Sequence, residues 1–277
     1  MIVINVKGGL GNQLFQAAFG LWLERNLNAD VKYAVHSYVG YSYGHKFLLN
    51  SWNSSLSREI YDFKKDSRKF ILIREPEITF KVESLLTLIE TNICKGNNIF
   101  LDGYWNNIIY YAQVQEDVRH FFTPSGIAKE TTSLAREIRE DVTVGLHIRR
   151  ADYGHHGLVK LAYYTSCIEE IRNERGDARV IVFSDEYNFS KFQFGKMPRV
   201  EVRQPNVKDP REDFYLLTQC THFILANSTF SFWAGLIGEK SESIVFFPEP
   251  FCIFKDIKMF NSSQLNWRVI PNSVLHP

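Results

Sequence analysis

The 277-residue chain has no apolar run approaching the roughly 20 residues that a membrane-spanning helix requires, so no helical span is expected. Its opening, MIVINVKGG, puts no basic stretch ahead of a long apolar one, and a β-strand is expected there rather than a secretion signal. Net charge is almost absent at +1, so there is no global attraction to nucleic acid and any bound anion must meet a local cluster. Cysteines are few. Cys94, Cys167, Cys220 and Cys252 lie far apart without a C-x-x-C pair, as expected of buried thiols in a reducing, cytoplasmic setting rather than of a disulfide frame or a zinc site. D-x-D, H-x-x-x-H and G-K-[ST] are all missing, which removes the common metal spacings and the P-loop. No internal repeat, low-complexity tract or charge block is present. N-x-[ST] triplets such as those at Asn53, Asn227 and Asn261 mean little without a secretion signal.

What the chain does have is a regular alternation of strand-like and helix-like segments. In the second half, VTVGLHI (142–148), ARVIVFSD, RVEVR (199–203), HFILA and SIVFFP read as strands. Between them, YYTSCIEEIRNE (163–174) places Tyr164, Cys167, Ile168 and Ile171 on one helical face, and EDFYLLTQC and STFSFWAGLIGE read as further helices. This order favours a parallel, doubly wound sheet, whose ligands sit at the carboxyl ends of the strands. The first half opens in the same way: IVINV as strand, KGGLGN as turn, QLFQAAFGLWLERN as a helix presenting Leu14, Ala18, Leu21 and Trp22, and VKYAV as strand. From about 40 to 95 the pattern weakens, with Glu75-Pro76 as punctuation. NIFLDGYWNN then leaves Asp102, Tyr104 and Trp105 near a strand end. A boundary is expected near 138–141, after the helix SLAREIRE, giving two nucleotide-fold-like halves facing each other across a cleft.

Three polar sets fall at expected strand ends. HIRRADYGHHG (147–157) is the densest, and it admits a metal site, an anion clamp or a solvated loop. Arginine offers a planar donor fork suited to phosphate. Arg149 and Arg150 are neighbours on a strand and should point to opposite faces, so one can grip a ligand while the other pairs with Asp152 or supports the loop. A metal would need His147, His155 and His156 to converge with a carboxylate, and adjacent histidines rarely ligate one ion. In FSDE, Asp185 can accept from a ribose hydroxyl or a guanine edge, or serve as a helix N-cap. In ANSTFSFW, Asn227, Ser228, Thr229 and Ser231 cap an apolar helix and can also hold a phosphate at its positive end. KGGLGNQ adds Gly8, Gly9 and Gly11 for positive φ and close approach to an anion, or simply a tight turn capped by Asn12. The 14% of aromatic residues suit either sugar-stacking surfaces or a well-filled core.

With these residues identified, the chain resembles the α-1,2-fucosyltransferases. KGGLGNQLFQAAFG and HIRRADY match that family's motifs, and GYWNN, VFSDE, EDFYLLTQC and ANSTFSFWAG follow in its order, from residue 2 to about 250. The resemblance implies a GT-B architecture of two Rossmann-like domains. Residues 1–139 would form the acceptor-side domain and 140–277 the GDP-fucose-binding one. It also implies inversion at the anomeric carbon, no required metal or other cofactor, and a galactose-terminated acceptor. By this likeness Arg149 would hold the donor pyrophosphate, and Arg150 and Asp152 would organise the loop. His147 and Asp185 would lie near the guanosine, Ser228 and Thr229 by the phosphates, and Asn12 at the reacting centre. Gly9, Gly11 and Tyr153 complete the expected substrate contacts. Ala151 stands where the family usually has glycine and Phe232 where a second tryptophan is common, which bears on the acceptor more than on the reaction. The expected activity is transfer of L-fucose from GDP-fucose to a galactoside 2-hydroxyl. Asp102, Asp152 and Glu186 are candidate bases. An α-1,6-type or other GDP-sugar transferase, or a non-catalytic sugar- or nucleotide-binding protein, is the alternative. Peripheral contact with a membrane stays compatible with the composition.

Overall fold

The computed structural model describes residues 1–38, 46–49, 60–62, 68–75, 82–122, 124–151, 157–249 and 265–271. Asp152, Tyr153, His155, His156 and Cys252 fall outside the described residues. The chain forms two compact units, Met1–Ser125 and Gly126–Pro277. The division comes ahead of the expected 139/140 boundary because the helix Lys129–Arg139 belongs with the second unit. There Glu212 accepts from the Ala128 N–H and the Thr131 hydroxyl, both at 3.1 Å, and Arg179 pairs with Glu137 at 3.0 Å.

Among the described residues the first unit is built on five parallel strands, β1 (Ile2–Asn5), β2 (Val31–Ala34), β3 (Ile60–Tyr61), β4 (Phe70–Arg74) and β5 (Asn98–Asp102), in the order β3-β2-β1-β5-β4. β3 and β4 occupy the stretch whose pattern was weak, together with helix α2 (Val82–Cys94). β4 is an edge strand with only Ile73 buried, so its alternation carries no core signal. The chain winds outward on one side of β1 and returns on the other, so β1 and β5 flank the switch point where open α/β sheets take ligands. Helix α1 (Leu10–Leu27) differs from the one-faced helix expected. Leu14, Ala18 and Trp22 are buried and Leu21 half-buried, but Gln13, Phe15, Gln16, Ala17 and Phe19 are buried as well. It is enclosed because a second aromatic layer covers it: Phe19 stacks on Trp105 at 4.2 Å and Trp22 meets the tilted ring of Tyr110 at 4.8 Å, from helix α3 (Ile108–Ala112) and the turn before it. Helix α4 (Gln115–Phe121) completes this unit.

Among its described residues the second unit holds α5 (Lys129–Arg139) and six parallel strands: β6 (Thr143–Ile148), β7 (Arg179–Ser184), β8 (Val200–Val202), β9 (His222–Ile224), β10 (Val245–Glu249) and β11 (Arg268–Pro271). Their order, β11-β10-β9-β6-β7-β8, is the dinucleotide-fold order 3-2-1-4-5-6 with β6 as first strand, and its switch point lies between β6 and β9. The expected strands all form, as do the expected helices, and one more is added: α6 at Leu161–Arg175, the additional α7 at Tyr187–Phe194, α8 at Pro210–Thr218 and α9 at Thr229–Gly238. β11 was not anticipated. It is four residues long, and Arg268 anchors it by pairing with Glu170 at 2.7 Å and with Glu174. Side chains alternate across β6. Val144, Leu146 and Ile148 join the α6 face residues Tyr164, Cys167, Ile168 and Ile171 in one core. On the opposite face, Gly145 allows close packing: a methyl group there would sit 2.6 Å from Leu217 and 3.0 Å from the Cys220 sulfur. Cys167 and Cys220 are the buried thiols expected, each pushed up to about 12 by burial, whereas Cys94 at the end of α2 is exposed. The aromatic residues mainly fill cores, with Trp22, Trp105 and Trp233 among the fully buried side chains. Among the described residues no helix is long and apolar enough to cross a membrane.

Candidate functional site

At the carboxyl end of β6 the chain leaves the sheet at Arg149. The two arginines diverge as strand alternation requires, and each finds a partner near the end of β7. Arg149 Nη1 pairs with Asp185 Oδ2 at 3.0 Å. The Arg150 guanidinium lies 3.9 Å over the Phe189 ring on α7, a cation–π contact that holds it flat. Asp185 is not a helix cap. Its carboxylate turns back to the β6 loop and accepts from the N–H groups of Arg150 (2.9 Å) and Ala151 (3.2 Å) as well as from Arg149. Three donors on one carboxylate fix the turn, since hydrogen bonds to charged groups contribute about 1.5–3 kcal/mol each. Asp185 is therefore a partner of Arg149.

Across the switch point, Ser228 caps α9 by accepting from the Phe230 N–H at 3.3 Å, and Thr229 opens the helix, half-buried. Asn227 is buried and donates to the Gly157 carbonyl at 2.8 Å, tying the end of β9 to the chain that returns from the HIRRADYGHHG loop. An amide so used is no glycan acceptor. His147 lies on the Gly145 face of β6, 6% exposed, with its ring stacked 5.2 Å from Phe230. Its Nδ1 has no hydrogen-bond partner among the described residues. Burial first, and the Arg149 charge second, lower its pKa to about 3. A neutral imidazole beside a guanidinium and a helix N-terminus leaves the positive charge of the site to Arg149 and the helix.

That burial has a measurable consequence. An unfolded histidine takes a proton near pH 6.5, whereas folded His147 refuses one until about pH 3. In that window the unfolded chain binds more protons, so stability falls as pH drops through it, by roughly 3–5 kcal/mol in all. Urea midpoints measured from pH 7 to pH 4 should fall less steeply in His147→Asn, by about one proton's worth of slope. Parallel curves would show that His147 titrates normally.

In the first unit the glycine turn runs directly into α1. Of its three glycines only Gly8 has a positive φ, +81°. Gly9 is the N-cap residue at φ −72° and Gly11 is already helical and buried. Asn12 is half-buried within the first turn of α1, which has no side-chain cap, so the capping role expected of it is not found. Instead Asn12 and Tyr104 flank Gly8. A methyl group on Gly8 would lie 2.7 Å from Asn12 Nδ2 and 3.2 Å from Tyr104 Cε1.

Residues without a place in the sequence reading hold this turn. Gln16, fully buried, accepts from the Lys7 N–H at 3.1 Å and donates to the Gly103 carbonyl at 3.0 Å, joining the loops after β1 and β5. Gln13 donates to the carbonyls of Gly8 and Lys46 and accepts from the Leu48 N–H, while the Tyr38 hydroxyl donates to the Gly8 carbonyl. The available signal was two glutamines three residues apart inside an apolar helix, because buried amides must find partners. Glu75, read as punctuation, anchors the β5 loop. Its carboxylate accepts from the Tyr104 N–H at 2.7 Å and also from the N–H groups of Trp105 and Asn106. Burial raises the Glu75 carboxyl above its usual range despite these bonds. Lys7 pairs with Asp102 at 2.7 Å, and Asn5 donates to the same oxygen at 2.9 Å. Glu186 is exposed at the head of α7. Among the described residues no group of three or more His, Cys, Asp or Glu side chains is placed to hold a metal ion.

Two Rossmann-like sheets of parallel strands, the second carrying two arginines at the end of β6 beside its switch point, give the chain a GT-B fold. The chain belongs to glycosyl transferase family 11, whose model matches residues 1–268. It is 27% identical over 289 residues to an alpha-1,2-colitosyltransferase from Escherichia coli, covering 96% of this chain and 98% of that one. It is 26% identical over 157 residues to galactoside alpha-(1,2)-fucosyltransferase 2 of Bos taurus, covering 51% of this chain and 46% of the relative. Among solved structures, that of POFUT1 in complex with GDP-fucose shares the fold at a TM-score of 0.56 with 11% identity, over 85% of this chain and 93% of that one.

Proposed function

We propose that this glycosyltransferase moves L-fucose from GDP-β-L-fucose to the 2-hydroxyl of a terminal galactoside, inverting the anomeric centre to form an α-1,2 linkage. The observation that carries the reading is Arg149, held by Asp185 at the end of β6, the strand that borders the switch point with β9 and the capped helix α9 that follows it, in a family 11 chain. The galactoside oxygen attacks the fucosyl C1 as the bond from C1 to the β-phosphate oxygen breaks, and that electron pair leaves with GDP. The hydroxyl proton departs to a base or to solvent. Arg149 offsets the charge growing on the leaving diphosphate, and Ser228 and Thr229 present the α9 N-terminus to the phosphates. Such preorganised donors are often the largest catalytic contribution. His147 lies beside the guanosine, and Asp185 acts there through the turn it orders. Arg150 and Asp152 shape the loop, and Tyr153 adds a substrate contact. Asn12, with Gly9 and Gly11, addresses the reacting sugars from the first unit.

A second reading, transfer of colitose, which is fucose without its 3-hydroxyl, is supported by the likeness to the colitosyltransferase along 96% of the chain. The purified protein should be offered GDP-fucose, GDP-colitose and GDP-mannose with an array of galactosides, and product linkage read by NMR. An α-1,2-fucosyl product is expected. Turnover of GDP-colitose alone would replace the first reading with the second, and binding without turnover would replace both. Initial rates are expected to withstand excess EDTA, because guanidiniums and a helix N-terminus supply the positive charge. A loss restored by manganese would show that assignment to be wrong.

A further inference from the structure

The carboxyl edge of the first sheet displays an aromatic side chain that core packing does not require. In the turn after β5, Trp105 takes a left-handed conformation at φ 54°, a strain of about 1–3 kcal/mol for a bulky residue. This turns consecutive rings apart. Trp105 is fully buried against Phe19, while Tyr104 stays 40% exposed. The core's need is met by Trp105, and Glu75 fixes the backbone of both residues. Beside the Tyr104 ring, the Lys7 ammonium lies 5.1 Å from its centre and 2.7 Å from Asp102. Partial burial pushes the Asp102 carboxyl up, but hydrogen bonds from Lys7 and Asn5 and the charges of Lys7 and Arg74 outweigh it and keep the group ionised. Across Gly8, within van der Waals reach of the same point, stands Asn12. All of these groups gather at the β1/β5 switch point.

We propose that this edge is a galactoside-binding subsite in which the Tyr104 ring is the stacking platform and Asp102, steadied by Lys7 and Asn5, receives the sugar hydroxyls. A galactopyranose gathers its C–H bonds on one face, which suits the negative face of an aromatic ring. Its hydroxyls donate to an ionised carboxylate in short, charge-assisted bonds. The Lys7 ammonium supplies the complementary donor. A sugar on Tyr104 lies next to Asn12, so the platform and the group assigned to the reacting sugars flank the same glycine, Gly8. Gly8 lets them approach, since any larger residue would separate them.

The inference rests on the transferase reading for its catalytic meaning, and galactoside binding tests it independently. Methyl β-D-galactopyranoside binding is measured by saturation-transfer NMR, GDP binding by calorimetry, and both substrate KM values where turnover is found. Tyr104→Ala is expected to weaken galactoside binding, and raise the acceptor KM, about tenfold while GDP affinity and donor KM hold. Tyr104→Phe restores most of the loss because it restores the ring, and Asp102→Asn weakens galactoside binding with the ring in place. Circular dichroism checks that each variant folds. A wild-type protein that binds no galactoside, or a Tyr104→Ala variant with unchanged galactoside binding or an equal loss of GDP binding, would overturn the subsite even if fucosyl transfer is demonstrated. Tyr104-dependent galactoside binding without fucosyl transfer would sustain the subsite and remove the transferase reading.

Discussion

Arg149→Lys is expected to lower kcat/KM for the nucleotide-sugar donor by about 2–4 kcal/mol of transition-state stabilisation, roughly 30- to 1,000-fold. Lysine keeps the charge but loses the planar fork, so the variant separates geometry from simple attraction. The fold should survive the change. Asp185 still accepts from the Arg150 and Ala151 N–H groups, and the Arg150 contact with Phe189 does not involve the replaced side chain. An arginine serving only its ion pair with Asp185 would give a different result. That pair is partly exposed, with side chains 27% and 18% accessible, and its loss would move the melting temperature modestly with little effect on rate. Steady-state kinetics and GDP calorimetry decide between the two. Near-normal kinetics would remove the anion clamp. Collapse of activity in both His155→Ala and His156→Ala, each with an intact fold, would return a metal site to consideration.

Gly8→Ala should be the more damaging change in the first unit. The methyl group meets a φ of +81° and contacts of 2.7 Å and 3.2 Å with Asn12 and Tyr104. Left-handed backbone alone costs about 1–2 kcal/mol in a residue with a Cβ. Displacing Asn12 or Tyr104 by an ångström can cost about 100-fold in rate when those groups orient reacting sugars. Gly96→Ala is the matched control, because Gly96 has φ +75° and nothing within 4 Å of the added methyl group. Both variants are expected to lose similar stability in urea, and only Gly8→Ala to lose most of its kcat/KM. Equal activity in the two would reduce the glycine loop to a turn.

Much of the second unit was readable in advance because its signals are local. Apolar runs of strand length, helical spacing in YYTSCIEEI, and a serine ahead of an apolar helix each act within a few residues. The same reasoning located the arginines at a strand end and split them between two tasks. It failed where an element had no burial contrast. Edge strand β4 is apolar yet mostly exposed, and α1 is apolar on every side, so neither shows the period that reveals an orientation. It failed again where a local rule had two outcomes. Asn12 and Asp185 were both plausible caps, and neither is one: α1 begins early enough to put Gly9 in the cap position, and Asp185 is engaged by the N–H groups of Arg150 and Ala151.

Motif order along the chain was enough to point to the family, the α/β class and the polar clusters at strand ends, since each depends on neighbours in sequence. Partners depended on the fold. Asp185 reaches Arg150 across 35 positions, Gln16 reaches Gly103 across 87, and Lys7 reaches Asp102 across 95. Periodicity cannot encode such contacts, because strand order and helix placement decide which side chains share an edge. The buried state of His147, the anchoring role of Glu75 and the display of Tyr104 follow from that packing. Each depends on how much water and charge the folded chain leaves around a group, and tertiary structure alone sets that quantity.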